Sequence, residues 1–208
     1  MSDNDTERQS RKTAKRVFAR ELADATHQFK ESDDERAPNW TLFPTGIKAN
    51  RVLAAGTLTE KEDVGNDNEY WKARIIDNSG AEFYAYAGQY QPDAASFIRR
   101  VDPPAYVSTV GKISTYTPDP DDDNPEPDTY VSLSPEEMTK VDQMTRTNWT
   151  IETANHTLAR IQRFEDARES GDLSPLMQDA IAEYGGDLET YHQAAVDALE
   201  AIKETTSN

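Results

Sequence analysis

Two tyrosines two positions apart, Tyr84 and Tyr86, and two cations, Lys72 and Arg74, are the residues whose types and spacing point most directly to chemistry. In an extended segment, residues two apart share a face. Phe83, Ala85 and Ala87 then take one face of the stretch from Glu82 to Ala87, and Tyr84 and Tyr86 take the other. Small alanines beside one phenylalanine suit the inside of a tight barrel. In the preceding stretch Trp71, Ala73 and Ile75 follow the inward phase, leaving Tyr70, Lys72 and Arg74 outward. Across a hairpin, both cations and both phenol rings land on one exposed face. Rings for stacking on bases, flanked by cations for phosphates, have the composition of a nucleic-acid-binding strand surface. Tyr106 and Lys112, on a later strand, complete the candidate set. The competing reading has the tyrosines lying beneath flanking helices.

Catalytic chemistry finds no such support. There is no Gly-x-x-x-x-Gly-Lys phosphate loop, no Gly-x-Ser-x-Gly elbow and no His-Glu-x-x-His. His27, His156 and His192 lie far apart in sequence, so no metal site is expected. The chain contains no cysteine, which excludes disulfides, thiolate nucleophiles and cysteine-based metal centres. Carboxylate pairs occur throughout so acidic a chain and single out nothing. The expectation is a protein that is not an enzyme and needs no cofactor.

The elements that must position these residues follow from periodicity. Val52, Ala54, Gly56 and Leu58 alternate with Arg51, Leu53, Ala55 and Thr57, a first strand. A polar loop from Glu60 to Glu69 leads to a second strand over 70–76. Asp77-Asn78-Ser79-Gly80 is a hairpin signal, because Asn and Gly tolerate positive φ. The third strand is Glu82 to Ala87, and a short helix is predicted from Pro92. A fourth strand, Ala105 to Tyr116, sets Val107, Thr109, Gly111 and Ile113 on one face. Residues 117–128 form an Asp- and Pro-rich loop before a short fifth strand, Tyr130 to Leu133. Five strands with one helix between the third and fourth is the order of an OB-fold barrel. The fold class is therefore mainly β with flanking α, having an N-terminal helix and a C-terminal helical region.

Residues 8–24 carry Arg8, Arg11, Lys12, Lys15, Arg16 and Arg20, with Ala14, Val17, Phe18 and Leu22 at helical spacing. An amphipathic basic helix is expected there, then a charged linker over 30–39 and a strand-like stretch from Trp40 to Phe43. After Pro135 the period switches to that of a helix. Ile151, Ala154, Leu158, Ile161 and Phe164 make one stripe, with Trp149 near its start. Ser174-Pro175 opens a helix that should stop at Gly185-Gly186. Asp187 can cap a last helix with Leu188, Tyr191, Ala195 and Ile202 inward. The division expected is 1–49 for the basic helix and linker, 50–141 for the OB-fold and 142–208 for the helical region.

Lys plus Arg number 22 against 39 Asp plus Glu, a net charge of −17. This balance reads as adaptation to molar salt, where self-repulsion is screened and carboxylates hydrate the surface. Acidity then says little about the partner. Both loops expected to rim the groove are acidic: Glu60, Glu62, Asp63, Asp67 and Glu69 in one, Asp119, Asp121, Asp122, Asp123, Glu126 and Asp128 in the other. At 1 M salt the Debye length is about 3 Å, so remote carboxylates are nearly silent. Stacking, at roughly 1–3 kcal/mol per base, survives such screening better than phosphate attraction does. No stretch approaches 18 consecutive apolar residues, so no transmembrane helix is expected. Met1-Ser2-Asp3-Asn4-Asp5 has no secretory character, and a cytoplasmic location is expected.

Several separated motifs resemble one family. Phe29-Lys30-Glu31-Ser32-Asp33-Asp34-Glu35-Arg36-Ala37-Pro38-Asn39, followed by Leu42-x-Pro44-Thr45-Gly46, is similar to the replication protein A-associated proteins of haloarchaea. So are Tyr70-Trp71-Lys72-Ala73-Arg74-Ile75-Ile76-Asp77 and Tyr86-Ala87-Gly88-Gln89-Tyr90-Gln91-Pro92. Pro103-Pro104-Ala105-Tyr106-Val107, Arg146-x-x-Trp149 and Thr157-x-x-Arg160 keep the same order. The resemblance spans roughly residues 10 to 165. It implies an OB-fold protein acting with the large subunit of an archaeal replication protein A in DNA replication and repair, protecting single-stranded DNA. The alternative is an interaction subunit whose C-terminal helices, or basic helix at 8–24, dock the large subunit without touching DNA. The loop at 118–128 and the helices beyond about residue 170 depart from the family pattern.

Overall fold

A computed structural model describes residues 13–34, 37–120 and 123–206. From the N-terminus these form β1 (Lys15–Arg16), α1 (Ala19–Asp24), β2 (Gln28–Lys30), β3 (Asn39–Leu42) and β4 (Lys48–Ala49). Next come β5 (Arg51–Asp63), β6 (Trp71–Ile76), β7 (Glu82–Ala87), α2 (Pro92–Arg100), β8 (Ala105–Tyr116) and β9 (Tyr130–Lys140). Three helices follow: α3 (Gln143–Ser170), α4 (Pro175–Tyr184) and α5 (Glu189–Thr206).

The alternation seen in the sequence becomes a closed barrel. Its strands run β5-β6-β7-β9-β8, and β8 pairs back onto β5. The β7–β9 contact is parallel, through Ala85 and Leu133, and the others are antiparallel. With α2 between the third and fourth barrel strands, this is the OB-fold. Strand β5 closes the barrel by serving two partners, since Thr57 and Leu58 pair both with β6 and with β8. A side chain at Gly56 would put its Cβ 2.5 Å from the Ile76 carbonyl oxygen, so only glycine permits that crossing. Val52, Ala54, Leu58, Ala73, Ile75, Phe83, Ala85, Ala87, Val107 and Leu133 fill the interior, with Ala73, Ile75, Phe83, Ala85 and Ala87 in the inward phase expected of them. Each large apolar side chain so enclosed contributes about 1.5–3 kcal/mol.

Two strands are longer than periodicity predicted. Strand β5 continues past Glu60, pairing Lys61, Glu62 and Asp63 with Ala73, Lys72 and Trp71. Strand β9 runs on to Lys140 and takes in Pro135, opposite Gly111 beside a register shift. A bulge is where a strand accommodates proline. The helical period therefore begins only at Gln143, where Asp142 caps α3 by accepting from the Thr145 amide at 2.8 Å.

The N-terminal expectation needs correction. Lys15 and Arg16 are not helical but pair in parallel with Val52 and Leu53. Among the described residues the helical part of 8–24 is α1, whose Ala19 amide donates to the Asp77 carboxylate at 2.6 Å; residues 8–12 lie outside the described residues. Nor is 30–39 simply a linker, because β2 and β3 pair as a hairpin with β4 beside them. Leu42 from this small sheet joins Ile161, Phe164, Ala180, Leu188 and Tyr191 in a second core. The α3 stripe is corrected too. Trp149, Ala154, Ile161 and Phe164 are buried, but Ile151 is 38% exposed. Thr150, Thr153, Thr157 and Arg160 face inward instead. Buried threonines are tolerated because their hydroxyls bond the preceding turn, as Thr153 does to the Trp149 carbonyl at 2.7 Å. Helices α4 and α5 start as expected, with Ser174 accepting from the Met177 amide and Asp187 from the Glu189 amide.

Candidate nucleic-acid interface

The β6–β7 hairpin sets Lys72 opposite Tyr86 and Arg74 opposite Tyr84. Ala73, Ile75, Phe83, Ala85 and Ala87 point into the barrel, leaving those four side chains on the outer face. A depression of about 290 Å³ opens there, lined by Glu60, Lys61, Glu62, Lys72, Arg74 and Tyr84. No helical residue lines it. The long helix α3 packs instead on β1, β5, β8 and α5, and α2 meets β6, β7 and β9.

The polar groups of this face are linked. The Lys72 ammonium lies 4.6 Å from the Tyr84 ring centroid. The Tyr84 hydroxyl donates to Glu82 Oε1 at 2.7 Å, and Glu82 Oε2 accepts from Arg74 Nε at 2.6 Å. Arg74 Nη1 also donates to Glu60 Oε1 at 2.8 Å. The Tyr84 hydrogen bond, with Arg74 beside it, holds the Glu82 carboxyl below its ordinary range. The same bond raises the Tyr84 phenol, so at neutral pH the ring is uncharged and Glu82 is ionised. Arg74 is thus shared by two carboxylates. Lys72 forms no ion pair among the described residues and rests on a π face, and its charge adds to the pull that lowers the Glu82 carboxyl.

Tyr70 joins the face although it was not among the candidates. Its ring stacks on Tyr86 with centroids 5.7 Å apart and planes at 24°, and the residue is 45% exposed. Asp63 Oδ1 accepts from the Tyr70 amide at 3.0 Å and from the Gly65 amide at 3.1 Å, which pins the loop base. Gly88 makes the seat, since a Cβ there would lie 2.8 Å from Tyr70 Cδ2. Burial, with Tyr86 alongside, raises the Tyr70 phenol. Its outward phase was legible in the sequence; the facing glycine was the unused signal.

Tyr106 and Lys112 are not brought to this face. Both lie on β8, which β5 separates from β6 and β9 separates from β7. The Tyr106 ring sits beneath Arg146 of α3, 4.2 Å from the guanidinium carbon, and Arg146 also donates to Thr57 Oγ1 at 2.7 Å. Lys112 is exposed, opposite Arg51 and Ser134. Part of the rim acidity is spent internally: Asp63 on amides, and Glu69 on Arg99 at 3.3 Å. Among the described residues, no group of three or more His, Asp or Glu side chains is placed to hold a metal, and no helix is long and apolar enough to cross a membrane.

No family model and no curated protein sequence matches the chain. Among solved structures, a chain of the Stn1–Ten1 complex from S. pombe superposes with a TM-score of 0.55 at 10% identity, covering 71% of this chain and 93% of that one. The mitochondrial single-stranded DNA binding protein Rim1 of S. cerevisiae gives a TM-score of 0.35 at 16% identity, over 45% of this chain and 94% of its own. The second single-stranded DNA binding protein of Mycobacterium smegmatis gives 0.36 at 13%, over 47% and 90%. At 10% identity the first likeness is one of fold, and the two lower scores add nothing to it.

Proposed function

We propose that this protein is an accessory subunit of a single-stranded-DNA-binding complex of the replication protein A kind, acting in DNA replication and repair. Its role is binding, with the strand lying across the outer face of β6 and β7. The observation that carries this reading is the open face on which tyrosine rings adjoin an ammonium that, among the described residues, lies in no ion pair. A single strand can turn its bases onto such rings, whatever their identity, while its phosphates meet the cation. Tyr84, Tyr86 and Lys72 are the proposed contacts, with Arg74 available once it leaves Glu60. Such a track does not need Tyr106 or Lys112.

The large subunit is the proposed partner, on the resemblance to haloarchaeal replication protein A-associated proteins. Likeness of fold to a chain of Stn1–Ten1, itself a complex, is in keeping with a subunit that works beside another protein. A net charge of −17 supports a salt-rich cytoplasm as the setting. Few rings make for weak binding alone, which is why a partner is part of the proposal.

The test is anisotropy of a labelled oligo-dT with purified protein in molar KCl. The protein shifts the signal, and Tyr84→Ala combined with Tyr86→Ala abolishes the shift. A second reading is favoured by one observation, the double pairing of Arg74 with Glu60 and Glu82. In it the barrel stabilises the large subunit without touching DNA. Wild-type protein that gives no shift but co-purifies with a larger subunit supports that second reading.

A further inference from the structure

We infer that the ring receiving a base on this face is Tyr70, carried by Tyr86, and that Tyr84 serves as the seat of the phosphate-binding Lys72. This division of labour rests on the single-strand reading above and refines it.

Tyr84 is already engaged. One face of its ring carries the Lys72 ammonium, and its hydroxyl is held by Glu82. A base arriving on that face must first displace the cation. Tyr70 is engaged differently, with one face against Tyr86 and nearly half its surface open to solvent. A ring stacked on one neighbour and nearly half exposed is a platform that a base can extend.

That platform is held in place before any ligand arrives. The Asp63 carboxylate fixes the Tyr70 backbone, the Val64 amide donates to the Tyr70 carbonyl at 2.9 Å, and Gly88 leaves the space the ring occupies. Ordering such a ring on binding costs little, because it is ordered beforehand. Arg74, tied to two carboxylates, is the poorer phosphate contact, and Lys72 the better one.

The spacing suits one strand. Tyr84 and Tyr86 are two residues apart on β7, a rise of about 7 Å. A base on the Tyr70–Tyr86 stack and a phosphate over Lys72 therefore belong to neighbouring positions of one extended chain. The ligand is an unpaired strand with at least one splayed base, taken without preference for which base, since all present a π face.

Two oligonucleotides of equal length separate the roles: oligo-dT, and the same backbone with abasic sites. Wild-type protein is expected to prefer oligo-dT. Tyr70→Ala should lower oligo-dT affinity about tenfold and erase that preference, whereas Tyr70→Phe keeps it. Gly88→Ala, which leaves the tyrosine in the chain but fills its seat, should reproduce part of the loss. Lys72→Gln should weaken both oligonucleotides alike and reduce the salt slope by about 1. Binding of oligo-dT by wild type, with Tyr70→Ala retaining the full preference over the abasic strand, overturns the inference and leaves the broader reading intact. Absence of any wild-type binding to oligo-dT ends both.

Discussion

Arg160 of α3 donates to Glu21 of α1 at 2.6 Å, and the two side chains are only 7% and 1% exposed. Arg160 Nε also donates to Thr45 Oγ1 at 3.0 Å, Thr45 donates in turn to Glu21 at 2.5 Å, and Thr157 accepts from Arg160 at 3.1 Å. Segments distant in sequence are tied by one dry polar cluster in which every charge has a partner. It locks the N-terminal segment and the long helix together against the barrel.

Removing one member leaves a buried charge unpaired. Arg160→Ala should therefore cost about 3–5 kcal/mol, and molar salt should rescue little of it because the pair is shielded from ions. Urea unfolding in constant KCl reads this directly. A loss below about 1 kcal/mol, typical of exposed pairs, would mean that the cluster is not dry.

Asp77 gives a pH signature. Burial raises its pKa from the ordinary value of 3.8, against the hydrogen bonds from Ala19 and Ser79 that lower it. Between that value and the raised one, the folded protein holds a proton that the unfolded chain has released. Its contribution to stability is therefore greatest at low pH and falls as pH rises through this window. Asp77→Asn should flatten that part of the stability profile relative to wild type, and identical slopes for the two proteins would refute the assignment.

On the single-strand reading proposed above, Glu60 competes with phosphate for Arg74, to which it is bonded at 2.8 Å. Glu60→Gln removes that competitor and a like charge from the groove, so affinity for oligo-dT should rise about two- to fivefold. The salt slope should steepen by up to about 1 as Arg74 becomes a contact. Titrations at three KCl concentrations measure both, and unchanged affinity with unchanged slope would show that Arg74 stays on Glu82.

Tyr184 joins α4 to the small sheet. Its hydroxyl donates to the Leu42 carbonyl at 2.9 Å and accepts from the His27 amide at 3.0 Å. Tyr184→Phe should cost about 1–2 kcal/mol, since it strands two backbone groups in a half-buried site. Thermal unfolding checks it, and an unaltered midpoint would place water in the hydroxyl's stead.

The barrel was legible because its signal is local. Alternation of Phe83, Ala85 and Ala87 with Tyr84 and Tyr86 depends only on strand phase, and the structure keeps that phase. What escaped were features set by distant partners. Lys15 and Arg16 read as helical because Val17 and Phe18 fit that period, yet their backbone pairs with β5. Ile151 fitted the apolar stripe, but Arg160 and three threonines claim the inner face because Glu21 waits there. Hairpin phase alone puts Lys72, Arg74, Tyr84 and Tyr86 on one face, and the strand register does the same. Tyr106 and Lys112 could not be separated from them without knowing that β5 and β9 intervene. The outward phase of Tyr70 is legible in the sequence, but its stack on Tyr86 is not, because its seat depends on Gly88, 18 residues away.

The proposed role turns on whether the tyrosine face of the β6–β7 hairpin holds a single strand. Anisotropy of labelled oligo-dT in molar KCl measures this. The account predicts a saturable shift with the wild-type protein and none with the Tyr84→Ala, Tyr86→Ala variant, while both unfold cooperatively. A folded wild-type protein that leaves the oligonucleotide tumbling freely, or a double variant that binds as well as wild type, contradicts it.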